Sequence, residues 1–478
     1  MLKDPFYYQT ISELASQIQS GSLSPVDLTE IFLKRIASLD PQLQAFKLVM
    51  KEQAIAQAQT AEQAIKNGTY LGPLHGIPIA VKDLYDIKGV PTEAGCSMLN
   101  NNIADEDSTV VRLLRNSGAV ILGKTHTVQF ALGGVGINHD HGTPHNPWHK
   151  NPHAPGGSSS GTAVAVSSGM IPMALGSDTG GSVRIPASLC GIIGLKTTVG
   201  RISRKGVYPL CTTLDTVGPL ARSVEDCAIA YQVMQGEDKN GDPTTTGQTP
   251  HDVLSGIKRG VKNLRVHFAE SAFWEDVDPD VEEAVRKTGD VFKEQGAVVE
   301  SIDFPEAQEA LSIQPRGQII VTEGYAHNRK VFDGNVEKLD SVVGPRIAVG
   351  VDVSGPEYFE ILRKMAGLRK QAVDRLSDVD ALIVPSTAIP AFPLKEIDQG
   401  YEIYSQYNLR YLRNTTIGNL LNLCAVSIPC GITKKGMPIG LMIYAKPFHE
   451  EMALRVAYAY EQASSFAQMR PSLDWLNG

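Results

Sequence analysis

The stretch from Asn151 to Gly200, NPHAPGGSSSGTAVAVSSGMIPMALGSDTGGSVRIPASLCGIIGLKTTVG, has the most unusual composition in the chain. Its small, apolar run TAVAVSSGM predicts a helix that is buried on every side, and IPMALG predicts a strand. The triplet Gly180-Gly181-Ser182 follows that strand, and SVRIPASLCG begins another helical segment. The stretch therefore predicts a strand, a tight turn and a helix that meet at Ser182.

The same alternation of helix and strand continues outward from this stretch. Both STVVRLLRNSGAVIL and VEEAVRKTGDVFKEQGAVVESI consist of an amphipathic helix, a glycine and a β-rich run. The apolar runs IPIAV, ALIVP, AVSIP and IGLMIYA are typical of strands in a buried sheet. No low-complexity linker or repeat divides the sequence. We therefore predict one large α/β domain over residues 1–478.

Composition excludes several classes of protein. The 478 residues carry a formal charge of −8 with 42% hydrophobic residues, so no basic footprint for nucleic acid or an anionic membrane is present. The N-terminus lacks a signal-peptide core, and no run is long enough to span a bilayer. Because the six cysteines are scattered without a C-x-x-C pair, we expect reduced thiols and a cytoplasmic location. They are Cys96, Cys190, Cys211, Cys227, Cys424 and Cys430.

One short stretch matches a nucleotide-binding pattern. GAVILGKT, from Gly118 to Thr125, satisfies the phosphate-loop spacing G-x-x-x-x-G-K-[ST]. A phosphate loop requires a flexible turn between a strand and a helix, whereas Ala-Val-Ile-Leu belongs to a strand that follows a helix. We therefore predict that the match is a coincidence.

The turn at Ser182 suits a nucleophile. Gly180 and Gly181 allow a tight turn and expose backbone N–H groups toward a developing oxyanion, although one Gly-Gly-Ser triplet alone is more typical of an ordinary turn. A buried lysine can act as base, because desolvation lowers its pKa. Lys82 follows the apolar run before KDLYD, where a strand-end lysine that reaches solvent is the alternative. The G-x-S-x-G pattern centred on Ser159 lacks the strand that a nucleophile elbow requires.

Three blocks of the sequence resemble the amidase signature family. They are GIPIAVKDLYDIKGVPTEAGC, PGGSSSGTAVAVSSG and ALGSDTGGSVRIPASLCGIIGLKTT. The resemblance is dense from about residue 10 to 235, and it continues in NLLNLCAVSIPCGITKKGMPIGLMIYA. It implies a central mixed twisted β-sheet covered by helices on both faces, with a signature core at about 70–235. Residues 240–410 are less characteristic, and we expect this region to vary and to supply substrate loops.

The resemblance also implies a catalytic triad of the Ser–cis-Ser–Lys type. Carried over by motif position, Ser182 is the nucleophile, Ser158 after a cis peptide bond is the bridging serine, and Lys82 is the base. The implied oxyanion donors are the backbone N–H groups of Thr179, Gly180, Gly181 and Ser182. The implied supporting side chains are Ser159, Asp178 and Arg184. Ser160 stands where many members of the family have glycine, a departure that leaves the triad intact.

The resemblance implies hydrolysis of a carboxylic amide through a seryl acyl-enzyme, and reliance on a neutral Lys82 predicts activity that rises toward alkaline pH. The expected substrates are aryl or alkyl amides and anilides, and carbamates and esters are further candidate substrates. The alternative is the A subunit of a tRNA-dependent Glu/Asp amidotransferase, a glutaminase with partner subunits. Against it, HTVQFALGG differs from the wording usual in such glutaminases. A catalytically silent binding protein is disfavoured, because all three triad positions are filled.

Substrate and partners are less constrained by the sequence. We expect the loop after Lys82, the histidine-rich loop and residues at about 310–360 and 400–415 to form the substrate pockets. Five histidines between 139 and 153 match no metal-ligand spacing, so we predict no metal and no cofactor. We expect a small-molecule amide as partner, no nucleic acid, no membrane, and a monomer or homodimer.

Five aromatic residues are candidates to line an aryl-accepting cleft, with core packing as the alternative. They are Tyr85, Phe130, Trp148, Tyr325 and Tyr407.

Overall fold

A single mixed β-sheet organises the protein. The computed structural model describes residues 6–466 and 469–477. Within these ranges eleven strands form one sheet in the order β1-β3-β2-β4-β6-β5-β10-β11-β9-β7-β8. The strands are β1 (Phe46–Val49), β2 (Pro78–Lys82), β3 (Val120–Thr125), β4 (Met173–Asp178), β5 (Ile193–Lys196), β6 (Thr216–Ala221), β7 (Val266–Glu270), β8 (Ser301–Asp303), β9 (Ala381–Pro385), β10 (Cys424–Ile432) and β11 (Pro438–Ala445).

Helices surround the sheet. They are α1 (Ile11–Gln19), α2 (Pro25–Leu43), α3 (Lys51–Lys66), α4 (Thr109–Asn116), α5 (Ser160–Ser167), α6 (Arg184–Cys190), α7 (Val224–Met234), α8 (Leu254–Ile257), α9 (Pro279–Glu294), α10 (Glu306–Ile313), α11 (Gln318–Asn328), α12 (Gly344–Ala348), α13 (Gly355–Arg375), α14 (Leu394–Ile397), α15 (Tyr401–Leu420) and α16 (Glu450–Ala463). None of the helices in the described ranges is long and apolar enough to cross a membrane.

The sheet separates two apolar cores. Along β11, Leu441 and Ile443 belong to one buried cluster, whereas Met442 and Tyr444 belong to the other. Because successive side chains of a strand point to opposite faces, the two clusters lie on opposite faces of the sheet. Strands β2, β3 and β4 run parallel, whereas β4 with β6 and β10 with β11 run antiparallel. The predicted α/β fold, a mixed sheet covered by helices on both faces, is confirmed.

The phosphate-loop match lies inside this sheet. Gly118 has φ +83° after α4, and β3 then takes up the rest of the pattern from Val120 to Thr125. A Cβ on Gly123 would lie 2.0 Å from the carbonyl oxygen of Leu48 in the neighbouring strand β1. The second glycine of the pattern therefore serves close strand packing, as the predicted strand requires, and the stretch forms no phosphate cradle.

Two features of the fold place the candidate site. Helix α5, which consists of small residues, is buried along its whole length and packs against β4. Strands β2 and β4 are parallel neighbours, with Ala80 opposite Ala174. Parallel neighbours end at the same edge of a sheet, so the ends of β2 and β4 bring Lys82 and the loop after Asp178 together.

Candidate active site

The loop that carries Ser182 joins β4 to α6. Gly181 has φ +137°, and a Cβ there would lie 2.1 Å from Thr415 Oγ1. The tight turn therefore has no room for a side chain at this position. Between Thr179 and Ser182, no backbone N–H donates to another group within the described ranges. Four consecutive N–H groups at the end of a buried strand therefore have no backbone acceptor among the described residues.

Lys82 ends β2 in a fully buried position. Its Nζ donates to Ser158 Oγ at 2.8 Å and to Ser177 Oγ at 2.9 Å. Burial lowers the pKa of Lys82 to about 7, while the carboxylates of Asp215 and Asp178 oppose the shift. A neutral amine, which can accept a proton, is therefore substantially populated near neutral pH.

Ser158 lies two residues before α5, after a cis peptide bond between Gly157 and Ser158. Both Ser158 and Ser182 are buried, and the N–H of Ser159 donates to the carbonyl oxygen of Ser182 at 3.3 Å. That bond ties the two serine loops together. Within the described ranges the hydroxyl of Ser182 makes no hydrogen bond, and Ser182 lines a cavity.

The supporting residues form a buried ion pair behind the loop. Arg184 binds both oxygens of Asp178, with Nε and Nη2 each at 3.0 Å, and both side chains are fully buried. Burial alone would raise the pKa of Asp178, but Arg184 and Asn419 outweigh it and hold that pKa at about 2. Asp178 also accepts from the N–H of Val183 at 3.2 Å. The pair therefore connects the end of β4 to the first turn of α6.

Ser159 braces the same corner from the other side. Its Oγ accepts from the N–H of Ser177 at 3.3 Å and donates to the carbonyl of Ser177 at 3.4 Å. The structure thus brings together all the positions that the resemblance implied for the triad, the oxyanion donors and their support, at the ends of β2 and β4.

Several residues of this network were missed by sequence reasoning. Ser177, the second partner of Lys82, stands inside a quoted block but carries no signal that separates it from its neighbours. Thr415 and Thr416 donate to the carbonyl oxygen of Gly180 at 2.7 and 3.1 Å. By fixing that carbonyl, they orient the peptide that carries the N–H of Gly181. They lie 235 and 236 residues away in sequence, and no local pattern announces the contact.

A cavity of about 580 Å³ opens beside Ser182. One wall is a face of α15, from which Tyr401, Ser405, Asn408, Leu412 and Thr416 project at spacings of three or four residues. Other walls come from residues 131–133, 311–321 and 346–349, so the expected regions 310–360 and 400–415 contribute, the latter as a helix. A smaller cavity of about 230 Å³ also has Thr179 in its lining.

The five aromatic candidates do not line the larger cavity. Tyr85 is fully buried and donates to the carbonyl of Gly176 at 2.6 Å, and Phe130 is buried against Tyr208. The indole of Trp148 donates to the carbonyl of Cys190 at 2.7 Å. The remaining two pack against other aromatic rings, Tyr325 against Phe332 and Tyr407 against Phe392.

The histidine-rich loop is held by acidic partners. His139 bonds to Asp340 at 2.8 Å and to Asp398 at 3.0 Å, and these bonds raise its pKa to about 9 although burial opposes the shift. His141 lies 3.2 Å from Glu93. Across the described ranges, no three side chains of the metal-binding types converge on a common point.

Comparison with known proteins extends the resemblance to nearly the whole chain. A family model described as Amidase matches residues 27–454. The chain is 36% identical over 457 residues to a 2-amino-5-chloromuconic acid deaminase of Comamonas testosteroni, covering 95% of each protein. It is 35% identical to the A subunit of a glutamyl-tRNA(Gln) amidotransferase of Trichlorobacter lovleyi, covering 98% of this chain and 99% of that protein.

Similarity also extends to solved structures. One, described as a vestigial protein complex that reveals the origins of an s-triazine catabolic enzyme, superposes with a TM-score of 0.89 at 30% identity. The match covers 97% of this chain and 100% of that chain.

Proposed function

The chain belongs to the amidase (amidase signature) family, and from this premise we propose that it hydrolyses small carboxylic amides through a seryl acyl-enzyme. The observation that carries the proposal is the buried amine of Lys82, 2.8 Å from Ser158 Oγ, beside four unused backbone N–H groups at Ser182. Base, relay and anion-stabilising donors are thereby grouped where water is largely excluded.

In the proposed reaction, Ser182 Oγ attacks the carbonyl carbon of the amide. Its proton moves to Ser158, whose own proton moves to the neutral amine of Lys82. The oxyanion of the tetrahedral intermediate accepts hydrogen bonds from the N–H groups between Thr179 and Ser182, a contribution of about 10²–10³-fold per donor. When the C–N bond breaks, Ser158 protonates the leaving amine and recovers a proton from Lys82.

Water then repeats the sequence on the acyl-enzyme. It attacks the ester carbonyl while Ser158 and Lys82 take its proton, and Ser182 leaves with a proton as the carboxylic acid is released. The steps balance without a cofactor. Carbamates and esters present the same carbonyl to Ser182, so the proposal includes them. We further propose a cytoplasmic enzyme that acts as a monomer or homodimer.

A second candidate is a glutaminase that works as the A subunit of a tRNA-dependent amidotransferase. Its support is the relative of that description, which matches this chain over almost the full length of both. The first candidate is supported by a relative of Pseudomonas putida described as an amidase, which is 35% identical over 473 residues and covers 97% of this chain.

The test is hydrolysis of a panel by wild type, Ser182→Ala and the control Ser255→Ala, which removes an exposed serine in α8. The panel holds a primary amide, an anilide, an aryl carbamate, an aryl ester and glutamine. We expect turnover of at least one amide by wild type and the control, and none by Ser182→Ala. Turnover of glutamine alone would favour the second candidate, and turnover that survives Ser182→Ala would refute the proposed nucleophile.

A further inference from the structure

The cavity beside Ser182 has a one-sided charge. Its lining includes four arginines and, as far as the structure describes the chain, no aspartate or glutamate. The four are Arg316, Arg346, Arg410 and Arg413. A guanidinium that is partly removed from water favours an anionic partner, and a planar carboxylate matches its paired N–H groups. The lining therefore favours an anionic ligand.

Arg346, on α12, is half-buried, and among the described residues no carboxylate lies within ion-pair distance of it. Its Nη1 donates to the carbonyl oxygen of Leu132 at 2.9 Å, and the hydroxyl of Tyr404 is a second neighbour. Both of these neighbours are uncharged, so the positive charge of the fork is not neutralised.

The position of Arg346 follows from the segment that it binds. Two residues after Leu132, the carbonyl of Gly134 accepts a hydrogen bond from the N–H of Gly157 at 2.8 Å. This segment therefore contacts the loop that carries Ser158. Arg346 thus binds the same short segment that contacts Gly157, the residue before Ser158.

Arg413 approaches from α15. Its Nε donates to the side-chain oxygen of Asn414 at 3.1 Å and its Nη2 to the carbonyl oxygen of Phe273 at 3.5 Å, and both acceptors are neutral. Arg413 precedes Thr416 by three residues, which is about 4.5 Å along a helix axis, and Thr416 touches the carbonyl of Gly180. Arg413 therefore lies about one turn from the proposed oxyanion loop. Burial lowers its pKa, although the nearby acids at 275 and 276 oppose the shift without reaching ion-pair distance.

The other two arginines are less available. Arg316 is exposed and lies 3.5 Å from Glu357. Arg410 is exposed and donates to the backbone carbonyl of Asp276 at 3.1 Å. Both add positive charge at the cavity, but their side chains are exposed to solvent. The two half-buried guanidiniums are thus the ones placed to bind an anion.

We propose that this cavity selects amides that carry a carboxylate, with Arg346 and Arg413 as the residues that bind it. The inference rests on the proposed function, because it names the substrate class of the same site. A cavity of about 580 Å³ is of the size that holds a small organic ligand. Leu132, Ile320 and Leu412 also line it, so the expected substrate carries an aliphatic or aryl spacer between the carboxylate and the scissile amide.

The first test compares matched amides that differ in one charge. The pairs are glutaramate with pentanamide, adipamate with hexanamide, and 4-carbamoylbenzoate with benzamide, and ammonia release is measured for each. We expect wild type to prefer the carboxylated member of at least one pair in kcat/KM by roughly 10–100-fold, the effect of a hydrogen-bonded charge pair. Arg346→Gln and Arg413→Gln should each lose most of that preference, measured as the ratio of kcat/KM for the two members of a pair.

The controls separate charge from folding. Arg346→Lys keeps the charge and should recover part of the preference, whereas Arg363→Gln removes an exposed arginine on α13 and should leave both members unchanged. A second readout is independent of turnover: calorimetric titration of glutaramate, adipamate and 4-carbamoylbenzoate, and of their neutral partners, into Ser182→Ala. The carboxylated compounds should bind more tightly, and the difference should shrink in Ser182→Ala combined with Arg346→Gln.

The outcomes distinguish this inference from the proposed function. Equal turnover and binding of charged and neutral members, unaffected by the arginine variants, would overturn the inference while Ser182-dependent hydrolysis still supports the function. Selective, arginine-dependent binding without any turnover would support the carboxylate subsite and refute the proposed hydrolysis. Binding that Arg363→Gln weakens as much as Arg346→Gln does would also overturn the inference, since it would report only net charge.

Discussion

The proton affinity of Lys82 sets how activity responds to pH. Burial lowers the pKa of Lys82 from 10.5 to about 7, against the opposing carboxylates of Asp215 and Asp178. With that pKa, the neutral fraction of the amine is about 9% at pH 6, 50% at pH 7 and 91% at pH 8. We therefore expect kcat/KM for an uncharged amide to rise about tenfold from pH 6 to pH 8 and then to level off.

An ordinary lysine would behave differently over the same range. At a pKa of 10.5, only about 0.3% of the amine is neutral at pH 8, and the rate would climb about tenfold per pH unit through pH 9. The position of the plateau therefore distinguishes a desolvated base from an exposed one. The variant Asp215→Asn removes a charge that favours the protonated amine, so its acid limb should move to lower pH.

The assay is kcat/KM from pH 5 to pH 10 for a neutral anilide, in buffers of constant ionic strength. Solvent-exposed Asp378→Asn serves as the control for loss of a carboxylate far from Lys82 and should keep the wild-type profile. A profile that is flat down to pH 5, or one that still climbs tenfold per unit at pH 9, would refute the assignment of Lys82 as a desolvated base. A shift of the limb to higher pH in Asp215→Asn would refute the electrostatic reasoning.

Three further variants test the buried network. The folded-state pKa of Lys82 lies below its unfolded value, so burying this amine destabilises the fold fully below pH 7, and the destabilisation is lost as pH rises toward 10.5. Lys82→Met lacks this pH dependence. Its free energy of unfolding relative to wild type, measured by urea titration, should therefore fall by roughly 3 kcal/mol between pH 7 and pH 10. Asp178→Asn leaves Arg184 buried and unpaired and should lower the free energy of unfolding at pH 7 by about 3–5 kcal/mol, measured by urea unfolding. Thr415→Val loosens the carbonyl of Gly180 and should lower kcat about tenfold with KM unchanged in steady-state kinetics.

Matched controls for these variants lie on exposed faces. They are Lys66→Met and Thr60→Val on α3, and Asp378→Asn again. A stability difference for Lys82→Met that stays constant with pH would contradict the depressed pKa. A loss below about 1 kcal/mol for Asp178→Asn would show that Arg184 finds another partner, and a rise in KM for Thr415→Val would indicate a direct role in binding instead of positioning.

Local signals predicted much of the architecture. The small, apolar run TAVAVSSGM lies largely in the buried helix α5, because a helix pattern depends on residues within one or two turns. The apolar runs became buried strands for the same reason, because a buried strand is predicted by the hydrophobicity of consecutive residues. The motif blocks around Ser158 and Ser182 also carried the resemblance that placed Lys82.

Aromatic residues were a weaker guide to the cavity. Hydrophobic side chains are drawn to any interior, so Tyr85 and Phe130 fit a core as well as a cleft, and the structure packs both fully inside. Whether they contact a substrate stays a prediction. The arginines of the cavity gave no signal, because a lone Arg346 or Arg413 in the sequence is indistinguishable from one on a solvated surface.

The sequence by itself determined the α/β class, the family and the short blocks whose residue types suit acyl chemistry, since each depends on neighbours within a few residues. The tertiary structure decided what those blocks meet. The pairing of β2 with β4 brings Lys82 to Ser177 across 95 residues, and α15 delivers Thr415 to Gly180 across 235. Such contacts follow from strand order and helix packing, which are settled by the burial of the whole core and not by any local pattern.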